Sequence, residues 1–420
     1  MSERTGAPNQ EMNTGCCIVG GGPAGMMLGF LLARAGVDVT VLEKHRDFLR
    51  DFRGDTIHPS TLEVMHELGM LDDFLRLPHQ EVQKLTGQVG DERLTVADFS
   101  HLPTHCRFIA LMPQWDFLDF LSSRAQAYAR FHLRMQSEVI DLVQQGEQIV
   151  GVRGHSPDGA FELRSPLVVG ADGRHSVVRE RAGLEVEDLG APMDVFWMRL
   201  SRRPDDDAET LGRFDTGVVF VMLNRGDYWQ CALAIRKGSA DEIRARGIAA
   251  FRDVVARLVP FGHDRVEELR SWDDVKLLTV RVDRLAQWYR SGLLCIGDAA
   301  HAMSPVGGVG INLAVQDAVA AANILAAPLR DGTVTPEHLR TVQERREFPT
   351  RATQRMQVFV QNRILGRVLA GTQRPSLPWP LKLVRACPVL QRIPARLIGI
   401  GVRPEHVRIP DDRWRTTDDR

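Results

Sequence analysis

The stretch Cys16-Cys17-Ile18-Val19-Gly20-Gly21-Gly22-Pro23-Ala24-Gly25 decides the fold. Its four apolar residues sit between Gly15 and Gly20, the pattern of a short strand buried on both faces of a parallel sheet. Residues 24–35 are helix formers that Gly36 stops, and Val37 to Glu43 reads as a second strand. About thirty residues therefore spell one β-α-β unit. The spacing Gly20-x-Gly22-x-x-Gly25 is the glycine pattern of a dinucleotide site in that context. Gly20 allows the tight turn, Gly22 lets a pyrophosphate approach the backbone, and Gly25 lets helix and strand pack closely. Pro23 and Ala24 open a helix whose free N–H groups favour an anion. Glu43, with Lys44 beside it, ends the second strand, where an acid accepts hydrogen bonds from a ribose.

A second stretch, Leu293 to Asn312, narrows the dinucleotide. A buried strand ends at Gly297-Asp298, and a glycine-rich loop from Pro305 through Gly308, Val309 and Gly310 leads to Ile311 and Asn312 in a long apolar helix. Asp298 suits a hydroxyl-rich chain such as the ribityl group of a flavin. The loop backbone suits close approach to a flat ring. The helix start then points its positive end at that ring. A third strand and turn, Val168-Val169-Gly170-Ala171-Asp172-Gly173-Arg174, ends in Asp-Gly turn chemistry.

Between these motifs the pattern alternates. Residues 80–111, several short segments over 132–170 and residues 194–235 read as strands; residues 59–69, 115–129, 239–258, 310–328 and 336–371 read as helices. The 420 residues, 44% hydrophobic and 25% charged with a formal net charge of -1, describe a globular chain with no field to recruit nucleic acid. Residues 1–13 read as a loose polar start, and no apolar run of about 18 residues suggests a membrane span. Cys16, Cys17 and Cys295 read as small buried hydrophobes, and the absence of paired zinc-type spacing predicts no metal and a reducing, cytoplasmic setting.

The order GxGxxG, then DG, then GD resembles the group A FAD-dependent aromatic monooxygenases related to para-hydroxybenzoate hydroxylase, over residues 14–372. The resemblance implies an α/β fold in which a Rossmann-like FAD-binding domain (14–80, 112–180 and 285–330) is interleaved with a substrate domain of mixed and antiparallel sheet (81–111 and 181–284). A C-terminal helical region (331–420) follows. It also implies that Arg53 approaches the cofactor phosphates or ribityl chain. Gln114 touches FAD at a helix start, Val139 lies near the adenine, and Asp172 supports the cofactor site. Val309 departs from the family, which often has Gln there, so only a backbone contact survives at that position.

The implied reaction uses NADH or NADPH to reduce FAD, and O2 then gives a flavin C4a-hydroperoxide that hydroxylates an electron-rich substrate. Arginines 46, 50 and 53 favour NADPH through its 2′-phosphate. No catalytic side chain is assigned, and Asp55, His58 and His301, near the motifs, read as structural or capping groups at least as well as proton-transfer groups. Phe196, Trp197, Met198, Phe220, Met222 and Trp229 are candidates for an apolar pocket taking an aromatic, polyketide or similar planar molecule. Residues 376–403 mix apolar and basic residues; packing over the substrate domain is preferred to contact with lipid because four prolines interrupt them. Oligomeric state has no sequence signal. Two other functions fit the same motifs: an FAD oxidoreductase acting on a prenyl or quinone-type substrate without oxygen insertion, and a nucleotide-binding protein without catalysis.

Overall fold

In a computed structural model, residues 10–49, 56–90, 92–206, 211–261, 263–371 and 379–412 are described. The first strand, Cys16–Val19, is fully buried at the centre of a six-stranded sheet. Its neighbours are Val39–Leu42 on one side and Val168–Gly170 on the other, all parallel. Phe131–Arg134 and Leu293–Cys295 extend the parallel set, and Tyr289–Arg290 closes one edge in the antiparallel sense. All three motif strands thus lie side by side although they are distant in sequence. Each ends at the same edge, so their turns converge there, as ligand sites do in parallel sheets.

The helices Pro23–Arg34 and Gly310–Arg330 pack against each other beside this sheet. Residues 306–330 are apolar and long enough to cross a membrane, contrary to the sequence expectation of no such run, but 83% of the most apolar window is buried inside the protein. Its hydrophobicity is that of a core helix surrounded on all sides. Cys16, Cys17 and Cys295 are likewise buried in this core, where burial pushes their thiols up.

The second large sheet has seven strands, in the order Val275–Leu278, Met193–Ser201, Tyr228–Arg236, Val218–Asn224, Leu211–Asp215, Lys84–Val89 and Glu92–Asp98. Side chains alternate between its faces. Phe196, Met198, Phe220, Met222 and Trp229 all fall on one face, packed with Phe251 and Val255 of the helix Gly247–Ala256. Val195, Trp197, Val219, Val221, Ala232 and Ala234 belong to other clusters and face a cavity.

Three local expectations are corrected. Gln10–Asn13 is no loose start, because it pairs in parallel with Gly159–Arg164. The helix expected over 239–258 is broken into Ala240–Ala245 and Gly247–Ala256 by Gly247, whose φ of 85° no α-helix accepts. The helix expected over 336–371 is α-helical only to Val360, then makes a π-turn over Gln361–Leu365 before Gly366–Ala370. The C-terminal helix Arg392–Gly399 packs Ala395 against Phe99 and Leu102, yet Trp379, Leu383, Val389 and Ile393 stay exposed, so the expected packing covers only part of this segment.

The face assignment yields a direct expectation. Phe196→Ala removes a fully buried ring that meets Phe251 edge-on at 5.6 Å. It should cost about 3–5 kcal/mol in urea unfolding.

Candidate active site

One cavity of about 1350 Å³ runs from the converging turns of the parallel sheet to the smooth face of the seven-stranded sheet. Pockets for one small molecule reach about 1000 Å³, so this one has room for a large cofactor and a substrate together.

At the first end lie Gly20, Gly22, Pro23 and Ala24. Gly20 has a φ of 108°, and its hypothetical Cβ would be 2.8 Å from the Cα of Asp172. Gly25 does not line the cavity; a Cβ there would be driven into the Gly20 carbonyl oxygen, so Gly25 shapes the turn from behind. Beside Gly22 nothing stands within 4 Å, and the helix N-terminus has no side-chain cap, which leaves its N–H groups available to an anion. Glu43 is buried, and its carboxylate accepts from the Gly21 N–H at 2.9 Å and the His45 N–H at 3.0 Å. Lys44, Gln114 and Val139 line the same end.

Asp172 also lines the cavity. Its Oδ2 accepts from the Val178 N–H at 3.2 Å, and Oδ1 has no partner. Burial pushes its carboxyl up, against the opposing pull of the nearby Ser176 hydroxyl and backbone N–H groups. Asp298, part-exposed, lies 3.4 Å from the Arg174 guanidinium.

The loop from Pro305 to Ile311 forms the middle of the wall, with Gly308, Val309 and Gly310 all contributing. Gly307 and Gly308 have φ of 80° and 62°. A Cβ on Gly308 would strike the Thr56 hydroxyl, which donates to the Gly308 carbonyl at 2.8 Å. Asn312 departs from the expectation. It turns away from the cavity, and its Oδ1 accepts from the Ser60 and Thr61 hydroxyls at 2.6 and 2.8 Å.

Of the six residues expected to floor the substrate pocket, Trp197 alone lines the cavity. The other five are on the sheet's opposite face, because alternation places 196, 198, 220 and 222 away from their neighbours. Sequence reading found the right strands and chose mainly the other parity; the cavity face carries Val195, Val221, Ala232 and Ala234 around the Trp197 ring. It also missed Arg363, on the π-turn. Neither His58 nor His301 reaches the cavity. Arg50, Arg53 and Asp55 lie outside the described residues, and Arg46 is exposed against Asp47.

His58 is fully buried between two carbonyl oxygens, of Ile398 at 2.9 Å and Gly308 at 3.0 Å. Burial lowers its pKa to about 4, although both carbonyls favour the protonated ring. It stays neutral near pH 7, where its single ring N–H donates to one of the two carbonyls, and it packs between the glycine loop and the C-terminal helix. His301 Nε2 lies 2.6 Å from Asp317, which also accepts from the Gly297 N–H at 3.0 Å and Arg346 Nε at 2.9 Å.

Residues 13–356 match the family model described as FAD binding domain. The chain belongs to that family. It is 33% identical over 406 residues to 6-methylpretetramide 4-monooxygenase of Streptomyces rimosus, covering 96% of each chain. It is 26% identical over 333 residues to para-nitrophenol 4-monooxygenase of Pseudomonas sp. (strain WBC-3), covering 77% of this chain and 81% of that one. The crystal structure of p-nitrophenol 4-monooxygenase from Pseudomonas putida shares the fold, with a TM-score of 0.73 at 21% identity over 92% of this chain and 97% of that one.

As a member of the FAD-binding domain family related to these hydroxylases, the chain is an FAD-dependent monooxygenase. The site fits the cofactor: an uncapped helix N-terminus, an open glycine face, a buried acid at the second strand's end and a carboxylate oxygen without a partner lie in one cavity.

Two outcomes follow. Gly25→Ala should give protein without the yellow of bound flavin, read from the flavin released on denaturation. His58 stays neutral in the fold but charges in the unfolded chain, so between about pH 6.5 and 4 the unfolded state binds more protons. Stability should fall as pH drops through that window, and His58→Gln should flatten the fall in pH-dependent urea unfolding.

Proposed function

We propose that this monooxygenase hydroxylates a planar polycyclic aromatic or polyketide-type substrate held on the smooth face of the seven-stranded sheet. The observation that supports this most is the composition of that wall. Val195, Val221, Ala232, Ala234 and Leu278, with the Trp197 ring among them, present apolar side chains to the same cavity as the Gly307–Gly310 loop. A flat wall of this kind matches a fused-ring molecule better than a branched or strongly polar one. The name of the relative that covers 96% of the chain points the same way.

In this reading the Gly20–Gly25 turn and the N-terminus of Pro23–Arg34 receive the pyrophosphate. Glu43 accepts from the adenosine ribose, with Lys44, Gln114 and Val139 around the adenosine half. Asp298 orients the ribityl chain, with Asp172 supporting it. Pro305, Gly308, Val309, Gly310 and Ile311 back the flat ring. Arg53 remains a proposed phosphate contact. The positive end of Gly310–Arg330 favours negative charge on the ring. FAD, once reduced by NAD(P)H, supplies the activation of O2 that puts one oxygen atom into the product. The chain orients the reactants and keeps water out with apolar walls.

NADPH is the proposed reductant on the basic run at 46, 50 and 53. The free cysteines suit a reducing, cytoplasmic setting.

The test is turnover under labelled O2 with a panel of polycyclic phenols. One labelled oxygen should enter the product, and substrate should speed NADPH oxidation. Product formed at full rate without oxygen would replace this reading with that of a reductase or desaturase.

A further inference from the structure

Charge is divided unevenly along the cavity. Its four acidic lining residues, Glu43, Glu138, Asp172 and Asp298, all stand on the segments that shape the cofactor end. So do Lys44, His45, Arg174 and His175. Where the wall passes to the seven-stranded sheet it becomes apolar, and Arg363 is the charged side chain among the described residues lining that part. The nearby Gln357 is already committed: its amide donates to the carbonyls of Ser304 and Val306 at 3.0 and 2.9 Å and accepts from the Ser304 N–H at 3.2 Å. Arg363 forms no hydrogen bond or ion pair with a described residue.

The backbone around Arg363 is held firmly. The π-turn that contains it, a geometry frequent at functional sites, is fixed on one side by Gln361, which is fully buried and donates to the Ser304 hydroxyl at 2.5 Å. On the other side Leu365 and Val368 bury against Met193, Val219 and Ala234 of the sheet. Little backbone ordering is left for substrate to impose. Arg363 is exposed at the cavity wall, so its guanidinium is open to an incoming anion, and its planar fork matches two coplanar oxygens.

We propose that Arg363 is a specificity-determining residue that recognises a planar two-oxygen anion on the substrate, either a carboxylate or the ionised enol of a 1,3-dicarbonyl. This rests on the hydroxylase reading and narrows its substrate class to acidic fused-ring molecules. For the enol, the contact has a second consequence. Stabilising the ionised form keeps electron density on the carbon between the two oxygens, the form of substrate that an electrophilic oxygen donor attacks. Arg363 binds and polarises; it takes no part in bond making.

The experiment uses the FAD-loaded protein, with Arg363→Gln and Arg363→Lys beside the parent. Four probes are titrated while the bound flavin's absorbance is followed: anthraquinone-2-carboxylate, its methyl ester, 2-acetyl-1,3-indandione and its enol methyl ether. The parent should bind each anion about tenfold or more tighter than its methylated partner. Arg363→Gln should remove that preference and leave the methylated probes within about twofold, which controls for a damaged fold; Arg363→Lys should keep part of it, because the charge remains and the fork is lost. The arm with the larger loss identifies carboxylate or enol as the anion. Equal preference in parent and Arg363→Gln, or no preference in the parent, overturns the proposal. Loss of preference in Arg363→Gln with no labelled oxygen in any product leaves the anion site standing and removes the hydroxylase reading instead.

Discussion

The buried carboxylate of Asp317 is the constraint on which the site's shape depends. It is fully buried, and it joins three segments: the Gly297 N–H of the strand turn, His301 just beyond that turn, and Arg346 from the helix Pro336–Val360. Burial pushes the carboxyl up, but His301 and Arg346 outweigh it and hold it below its ordinary range. Removing one partner of such a cluster leaves an uncompensated charge in the core, a cost of about 3–5 kcal/mol. The geometry that presents Asp298 and the glycine loop to the cavity is therefore set from behind, by groups that do not line the cavity.

The same helix continues that control toward the substrate end. Gln354 donates to the carbonyls of Asp283 and Ala302, Gln357 holds Ser304 and Val306, and Gln361 reaches the Ser304 hydroxyl. Amides on this helix and on the π-turn that follows it thus pin alternate residues, Ala302, Ser304 and Val306, of the segment leading into the glycine loop. The buried His58 ring packs against the loop's other side, between the Gly308 and Ile398 carbonyls. Backbone polar groups in an irregular buried segment need such partners, and here the partners also make the loop rigid enough to define a flat surface.

The parallel sheet was legible because its signals are local. Cys16–Val19, the glycine spacing and Glu43 each constrain one turn of chain, and the turns converge by the rules of parallel sheets. The loop from Pro305 to Ile311 was legible for the same reason. Asn312 was not: its neighbours in space, Ser60 and Thr61, lie some 250 residues earlier, and a polar residue at a helix start reads equally as a ligand contact or a buried bridge. The breaks at Gly247 and Gln361–Leu365 were hidden by favourable helix composition on both sides. The segment Gln10–Asn13 has no apolar pattern, because its order comes from an edge pairing made by its backbone.

The face of the seven-stranded sheet was the hardest reading, for a physical reason. Both parities of Met193–Ser201 and Val218–Asn224 are apolar, so period-two alternation cannot say which faces the cavity. Bulk misleads here. The large rings of Phe196, Phe220 and Trp229 are needed to fill the space under Gly247–Ala256, and it is their absence from the other face that leaves room for a ligand. The two faces are therefore under different constraints. One must stay close-packed, where a lost methylene is felt. The other borders open volume, where a change of Val to Ala or Leu alters the cavity's shape at little cost to the core. A sheet built this way can keep its fold while its cavity face is rewritten for another flat substrate.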